Sequence, residues 1–194
     1  MITIQIFLIN FIIIYIFNLF LFLGSYGLFG VTLIVVGSVI VMIAMNGLIA
    51  IICCKILPDS WFSDKFRIYR TSKKECRFYE KIGIKHWKDK TAELGSLNGF
   101  RKNKLAKPEE PEYIKRFILE TNKGFLTHFI SLFISFLAIF LLPSKFWLPL
   151  GLPIALTSFV LNLIPVTILR YNMPRLQVML KYSERKQNKE NNNN

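Results

Sequence analysis

The chain has 194 residues and a formal net charge of +13, and 53% of it is hydrophobic and 14% aromatic. That is too apolar for an ordinary soluble domain of this size, and the apolar residues gather into long runs, so an integral membrane protein is expected. Three Cys and two His are too few for a disulfide framework or a structural zinc site, and no metal is expected.

Four runs, Ile2–Phe22, Leu28–Cys53, Phe125–Leu142 and Phe146–Leu169, reach the roughly 20 residues needed to cross about 30 Å of hydrocarbon. The predicted fold class is an all-α membrane protein: four transmembrane helices in two hairpins, with a basic, interfacial cytoplasmic segment between them. The expected division is a first hairpin at 1–54, the cytoplasmic and interfacial segment at 55–124, a second hairpin at 125–169, and a basic cytoplasmic tail at 170–194 with a disordered end. The first run lacks the positive flank and small-residue cleavage site of a secretory signal, so it is expected to remain in the mature protein.

Charge sets the orientation. Residues 1–54 contain no charged side chain, Lys55–Lys123 hold 18 Lys or Arg, the link between the last two runs holds only Lys145, and six basic residues follow Leu169. Because Lys and Arg are retained on the cytoplasmic side of short loops, both termini and the middle segment are expected there. Cys53, Cys54 and Cys76 fall on that side, where thiols stay reduced. The positive charge favours anionic lipid headgroups over nucleic acid as a partner.

Pro58-Asp59-Ser60-Trp61-Phe62 closes the second run. Trp61, Phe62, Phe66 and Tyr69 then alternate with Lys65, Arg67 and Arg70, as in a helix lying on the membrane plane. Glu75–Ile82 reads as a further helical stretch. Gly83, Gly95 and Gly99 punctuate a loop that carries His86-Trp87-Lys88-Asp89-Lys90 and Phe100-Arg101-Lys102. Pro108 and Pro111 among Glu109, Glu110 and Glu112 mark a helix start, since Pro suits the first turn and acids favour its dipole.

Three groups carry candidate chemistry. Glu120, Gly124, Thr127 and His128 lie where the third span begins. On a helix His128 is turned about 80° from Glu120 and lies about 12 Å further along the axis, so the two flank a cleft rather than bond directly. An ionisable residue just inside a span is costly without a partner, which makes His128 a functional candidate against the blander reading of an interfacial His reaching for water. Asn162, Pro165, Arg170, Asn172 and Arg175 form the second group on the fourth span. Pro165 leaves the carbonyl of Leu161 without its helical donor, so a bend or an open acceptor is expected beside Asn162. The two Arg suit phosphate, carboxylate or a developing oxyanion, and equally suit anchoring at a span end. His86, Trp87, Lys88 and Asp89 form the third group, as an interfacial anchor or a site for a donor phosphate. Ser131 and Ser135, four apart, read as helix-packing residues.

The pieces Pro58-Asp59-x-Trp61-Phe62, Tyr79-x-Lys81-x-Gly83-x-x-x-Trp87-Lys88-Asp89-Lys90, Phe117-Ile118-x-Glu120-Thr121 with His128 eight residues after the Glu, and Asn162-x-x-Pro165 leading to Arg170-Tyr171-Asn172-x-Pro174-Arg175-Leu176 share their order and spacing with one family. Across most of Pro58–Leu176 the chain resembles the glycosyl-4,4'-diaponeurosporenoate acyltransferases, membrane enzymes of staphyloxanthin-type carotenoid biosynthesis. Two positions depart from the family pattern: Phe125 stands where members usually carry Glu, and Met173 where they usually carry Arg.

The resemblance implies transfer of a fatty acyl group to a hydroxyl of a lipid-like acceptor, in the family the primary hydroxyl of a carotenoid-linked glucose. No cofactor is implied. An acyl donor, acyl-CoA or another acyl carrier, is the expected co-substrate. A hydroxyl needs a base, for which His128 is the intramembrane candidate. Asn162, Arg170 or Asn172 can supply oxyanion donors, and Glu120 can orient His128 through water or bind acceptor hydroxyls. Asp59, Trp87, Lys88, Asp89 and Arg175 are expected to bind substrate, with Lys88 and Arg101 near the donor's phosphate. Two other readings fit the residues: a membrane methyltransferase or reductase acting on prenyl lipids, for which no Gly-rich nucleotide motif speaks, and a non-enzymatic lipid-binding scaffold.

Overall fold

Gly27 divides the first fifty residues. The computed structural model describes residues 2–91 and 109–192; its regular structure is all helix, with no strand among them. Helix α1 spans Ile2–Ile51, but Gly27 within it has φ 64° and ψ 172°, a conformation essentially reserved for glycine. In a straight helix Tyr15 and Thr32 would be about 25 Å apart along the axis. Instead the Tyr15 hydroxyl lies 2.8 Å from Thr32 Oγ1, so α1 doubles back at Gly27 into two apposed arms. A π-helical turn at Ile52–Ile56 ends the second arm ahead of Pro58.

The chain divides into two compact units. The first comprises Met1–Ile56 and Leu126–Pro165. Its core joins Ile14 on one arm of α1 to Val31, Val35, Val39 and Met42 on the other, and to Phe146, Leu150 and Ile154 further on. The Asn18 amide donates to the carbonyls of Ile14 and Pro149, both at 2.9 Å. Phe22 meets Phe146 edge-on with centroids 5.0 Å apart. Many large apolar side chains of α1 face outward, among them Ile9, Ile13, Phe20, Phe29 and Leu33. A surface this apolar suits lipid rather than water.

The second unit comprises Leu57–Phe125 and Val166–Asn194. Helix α2 (Lys73–Lys81) is capped by Ser72, whose Oγ accepts from the Glu75 N–H at 3.1 Å. It stops at Gly83 in the left-handed region, φ 72°, after which α3 covers Ile84–Trp87. Helices α4 (Pro111–Leu137) and α5 (Leu152–Asn192) run through both units. In this unit they contribute a core of Ile114, Phe117, Ile118, Met173 and Leu176. Helix α4 starts at Pro111 with Glu112 in its first turn, as those residues dictate. The loop containing Gly95, Gly99 and Phe100-Arg101-Lys102 lies outside the described residues.

Two expectations are corrected. Residues 61–70 do not form one interfacial helix. Short 3-10 turns at Asp59–Phe62 and Arg67–Tyr69 are separated by extended backbone at Ser63 and Phe66. Phe62 and Tyr69 are buried, and the Tyr69 hydroxyl donates to the Trp61 carbonyl at 3.0 Å. The tail is also helical as far as Asn192, because Met179 and Leu180 pack on the second core and Lys186 pairs with Glu109 at 2.7 Å. Among the described residues three helical stretches, Ile2–Ile56, Pro111–Leu141 and Ser144–Lys189, are long and apolar enough to cross a membrane.

Candidate functional site

Within the first unit, α4 and α5 carry polar side chains at spacings of four residues: Thr127, Ser131 and Ser135 on α4, and Ser158 and Asn162 on α5, all buried. Such spacing puts small polar groups on one helix face. On this pair of helices His128 Nδ1 lies 2.9 Å from Asn162 Oδ1. The Asn162 amide nitrogen donates back to the Ser158 carbonyl at 2.9 Å, which turns the amide oxygen toward the imidazole. Nδ1 is therefore the protonated nitrogen in the neutral ring, and Nε2 carries the lone pair. Ser158 Oγ also accepts from Ser135 Oγ at 2.6 Å and from Asn46 Nδ2 at 3.3 Å. The His–Asn contact thus sits at the end of a buried hydrogen-bond network, whose members hold one another in place.

In the second unit Arg170 is a hub. Its Nε and Nη2 meet the two Glu75 oxygens, the latter at 2.8 Å, while Nη1 donates to the Ile68 carbonyl at 2.6 Å and Nη2 also to that of Arg70 at 3.0 Å. Four of the five donor hydrogens of a guanidinium are thereby engaged. Its plane lies over Phe125, 5.1 Å from the ring centroid. Tyr79 donates to Glu75 at 2.5 Å. Burial opposes ionisation of Glu75, but the bonds from Arg170 and Tyr79 outweigh it and hold the carboxyl below its usual range. Burial and the adjacent carboxylate push the Tyr79 phenol up.

Lys123, almost wholly buried, bridges Asp59 at 2.7 Å and Glu120 at 3.5 Å. Next to it Asn122 donates to the Phe62 carbonyl at 2.7 Å. Arg175 donates to the Tyr171 hydroxyl at 2.7 Å, and that hydroxyl lies 3.3 Å from Glu80. Trp87 Nε1 donates to the Ile82 carbonyl at 3.3 Å, and Lys88 lies 3.9 Å from the exposed Asp89. Asn172 is half-buried on α5. The geometry therefore brings His128 and Asn162 together, and Asp59 and Glu120 around Lys123. Arg170 is engaged by Glu75, a residue noted only as part of a helical stretch and separated from it by 95 positions. The one local signal for Glu75 is Ser72-x-x-Glu75, a capping spacing. Among the described residues no three His, Cys, Asp or Glu side chains gather to hold a metal ion.

The sequence model of one family, described as glycosyl-4,4'-diaponeurosporenoate acyltransferase, matches residues 58–182, well over half of the chain. The chain belongs to that family. Membership supports an acyltransferase of carotenoid biosynthesis. The matched stretch contains every residue singled out above from Asp59 to Arg175, including the His128–Asn162 pair, whereas Asn46 and all of α1 lie outside it. The chain matches no curated protein and no solved structure. At the two positions that depart from the family pattern the side chains are buried: Phe125 packs edge-on against Tyr69, centroids 5.9 Å apart, and Met173 sits in the second core.

Proposed function

We propose that this protein is a membrane O-acyltransferase that moves a fatty acyl group onto a hydroxyl of a lipid-linked acceptor, with a glycosylated isoprenoid of the carotenoid class as the first candidate, at the cytoplasmic face. The observation that carries the reading is the partly buried 2.9 Å contact between His128 and Asn162, held by the hydrogen bonds of Asn162 to Ser158. Asn162 orients the ring, and Nε2 takes the proton as the acceptor oxygen attacks the acyl carbonyl. Collapse of the tetrahedral adduct forms the ester and breaks the bond to the donor's carrier, whose sulfur or oxygen leaves with the proton from His128. Asn162 is an orienting residue in this scheme, because its amide is committed to Ser158 and His128. Arg170 braces Glu75 and the carbonyls of Ile68 and Arg70 instead of serving the oxyanion.

The two arms of α1 count as two crossings and α4 and α5 as one each, giving four spans with both termini cytoplasmic. The absence of charge from residues 1–54 and the 18 basic residues of Lys55–Lys123 support this orientation. Lys88 lies among those charges and Arg175 among the six basic residues after Leu169, and we assign both to a phosphate-bearing acyl donor. Asp59 and Glu120, with Lys123 between them, and Trp87, Asp89 and Asn172 complete the proposed substrate contacts.

The test is mass spectrometry of lipid extracts from cells that make a glycosylated carotenoid acid, fed an isotopically labelled fatty acid and expressing wild type, His128→Ala or neither. A labelled ester formed only with wild type supports the reading. An equal yield from a membrane-inserted His128→Ala protein contradicts it.

A further inference from the structure

The first unit carries an open-sided cleft of about 620 Å³, walled by Leu33, Gly37 and Val41 on the second arm of α1, by Ser135 and Leu142 from α4 and its end, and by Ile154 on α5. Its few polar groups are already satisfied inside the protein. Ser38 donates to the Ile34 carbonyl at 2.7 Å, Ser135 to Ser158 at 2.6 Å, and Lys145 to the Tyr26 hydroxyl at one end. Apart from the Lys145 ammonium at that end, the walls therefore offer a ligand dispersion and hydrophobic contact. At Ser135 the cleft touches the hydrogen-bond network that ends on His128, seven residues or about 10 Å along α4.

Gly37 stands out on this wall. Its backbone is helical, and a Cβ added there would meet nothing within 4 Å. A Cβ at Gly151, also on the wall, would lie 3.0 Å from Ile139 Cγ2. Glycine inside a helix is less stable than alanine, and at position 37 neither conformation nor packing demands it. What its missing side chain leaves is room in the cleft.

We infer that this cleft holds the hydrocarbon chain of the acyl donor, and that Gly37 sets the chain length accepted. This deepens the proposed function and rests on it. A methylene fills about the volume of one water molecule, roughly 30 Å³, so about 620 Å³ matches the size of one long-chain fatty tail. A single unbranched chain with its carbonyl near His128 and its tail past Ser135 fits that space.

The test uses the purified full chain in detergent with a series of fatty acids bearing a photoreactive diazirine at the methyl end. In wild type the long probe should label the stretches around Leu33–Met42 and Ser135–Leu142 and be competed by unlabelled fatty acid. Gly37→Leu introduces four carbons, so the longest chain bound should shorten by about four methylenes, and long-probe labelling should fall by at least about tenfold while short-probe labelling holds. Gly37→Ala, a milder change that the helix favours, should fall between. Labelling spread over outward-facing Phe20 and Phe29 without competition would mean the cleft holds ordinary bilayer lipid, and would overturn the inference, as would loss of all chain lengths alike in both variants. If wild type transfers no acyl group yet shows the Gly37 length shift, the chain site stands and the enzyme reading falls. Transfer with an unchanged length preference in Gly37→Leu is the reverse case.

Discussion

Glu75 and Arg170 join through two parallel hydrogen bonds, with Tyr79 donating to the same carboxylate. Both charged side chains are mostly buried, at 24% and 18% exposure, so removing one leaves the other with an unmet desolvation cost. Arg170→Gln should lower stability by about 2 kcal/mol. Glu75 is held below its unfolded value of about 4.3, so its contribution is present above that pH and is lost as pH falls through the folded value. Thermal unfolding in detergent should therefore show wild type well above Arg170→Gln at neutral pH, with the gap closing in acid. A gap independent of pH would refute this account of the pair. His128, Asn162 and Arg170 are each conspicuous in the sequence because a polar or ionisable side chain at a span demands a reason. Their partners are not, since the His128–Asn162 and Glu75–Arg170 contacts join residues 34 and 95 positions apart, and single-chain periodicity carries no information on such pairings.

At the scale of elements, long apolar runs announce α1, α4 and α5, and Pro111 with Glu112 announces where α4 begins. The 61–70 stretch misleads because its aromatics recur at near-helical spacing, yet Phe62 and Tyr69 turn inward while Trp61 and Phe66 remain exposed. The helical tail escapes notice because its polar composition resembles a disordered segment, while Met179, Leu180 and the Lys186–Glu109 pair supply the missing anchorage. The fold of α1 depends on Gly27. A side chain at φ 64°, ψ 172° costs on the order of 1–3 kcal/mol, so Gly27→Val should lower the thermal midpoint and weaken the apposition of the arms. Disulfide crosslinking of Tyr15→Cys with Thr32→Cys, efficient when Gly27 is retained and depressed when Gly27→Val is added, measures this. Equal crosslinking and stability would mean that the turn does not require glycine.

For the whole molecule, the uncharged first 54 residues and the basic residues that follow Cys54 and Leu169 predict the orientation in the membrane. A cysteine replacing Lys145 should react with an impermeant maleimide from outside intact cells. One replacing Lys186 should react only after permeabilisation, and the opposite pattern would invert the topology. The central claim is that His128 and Asn162 act as one catalytic unit, and the most direct measurement is the initial rate of labelled acyl transfer by wild type, His128→Ala, Asn162→Ala and the double variant, all inserted to the same level. Removing the base should cost roughly 10²–10⁴-fold, and residues that act as a unit are strongly non-additive. The account predicts a large loss in each single variant and a double variant no slower than His128→Ala. Wild-type rates in His128→Ala, or losses that simply multiply in the double variant, would contradict it.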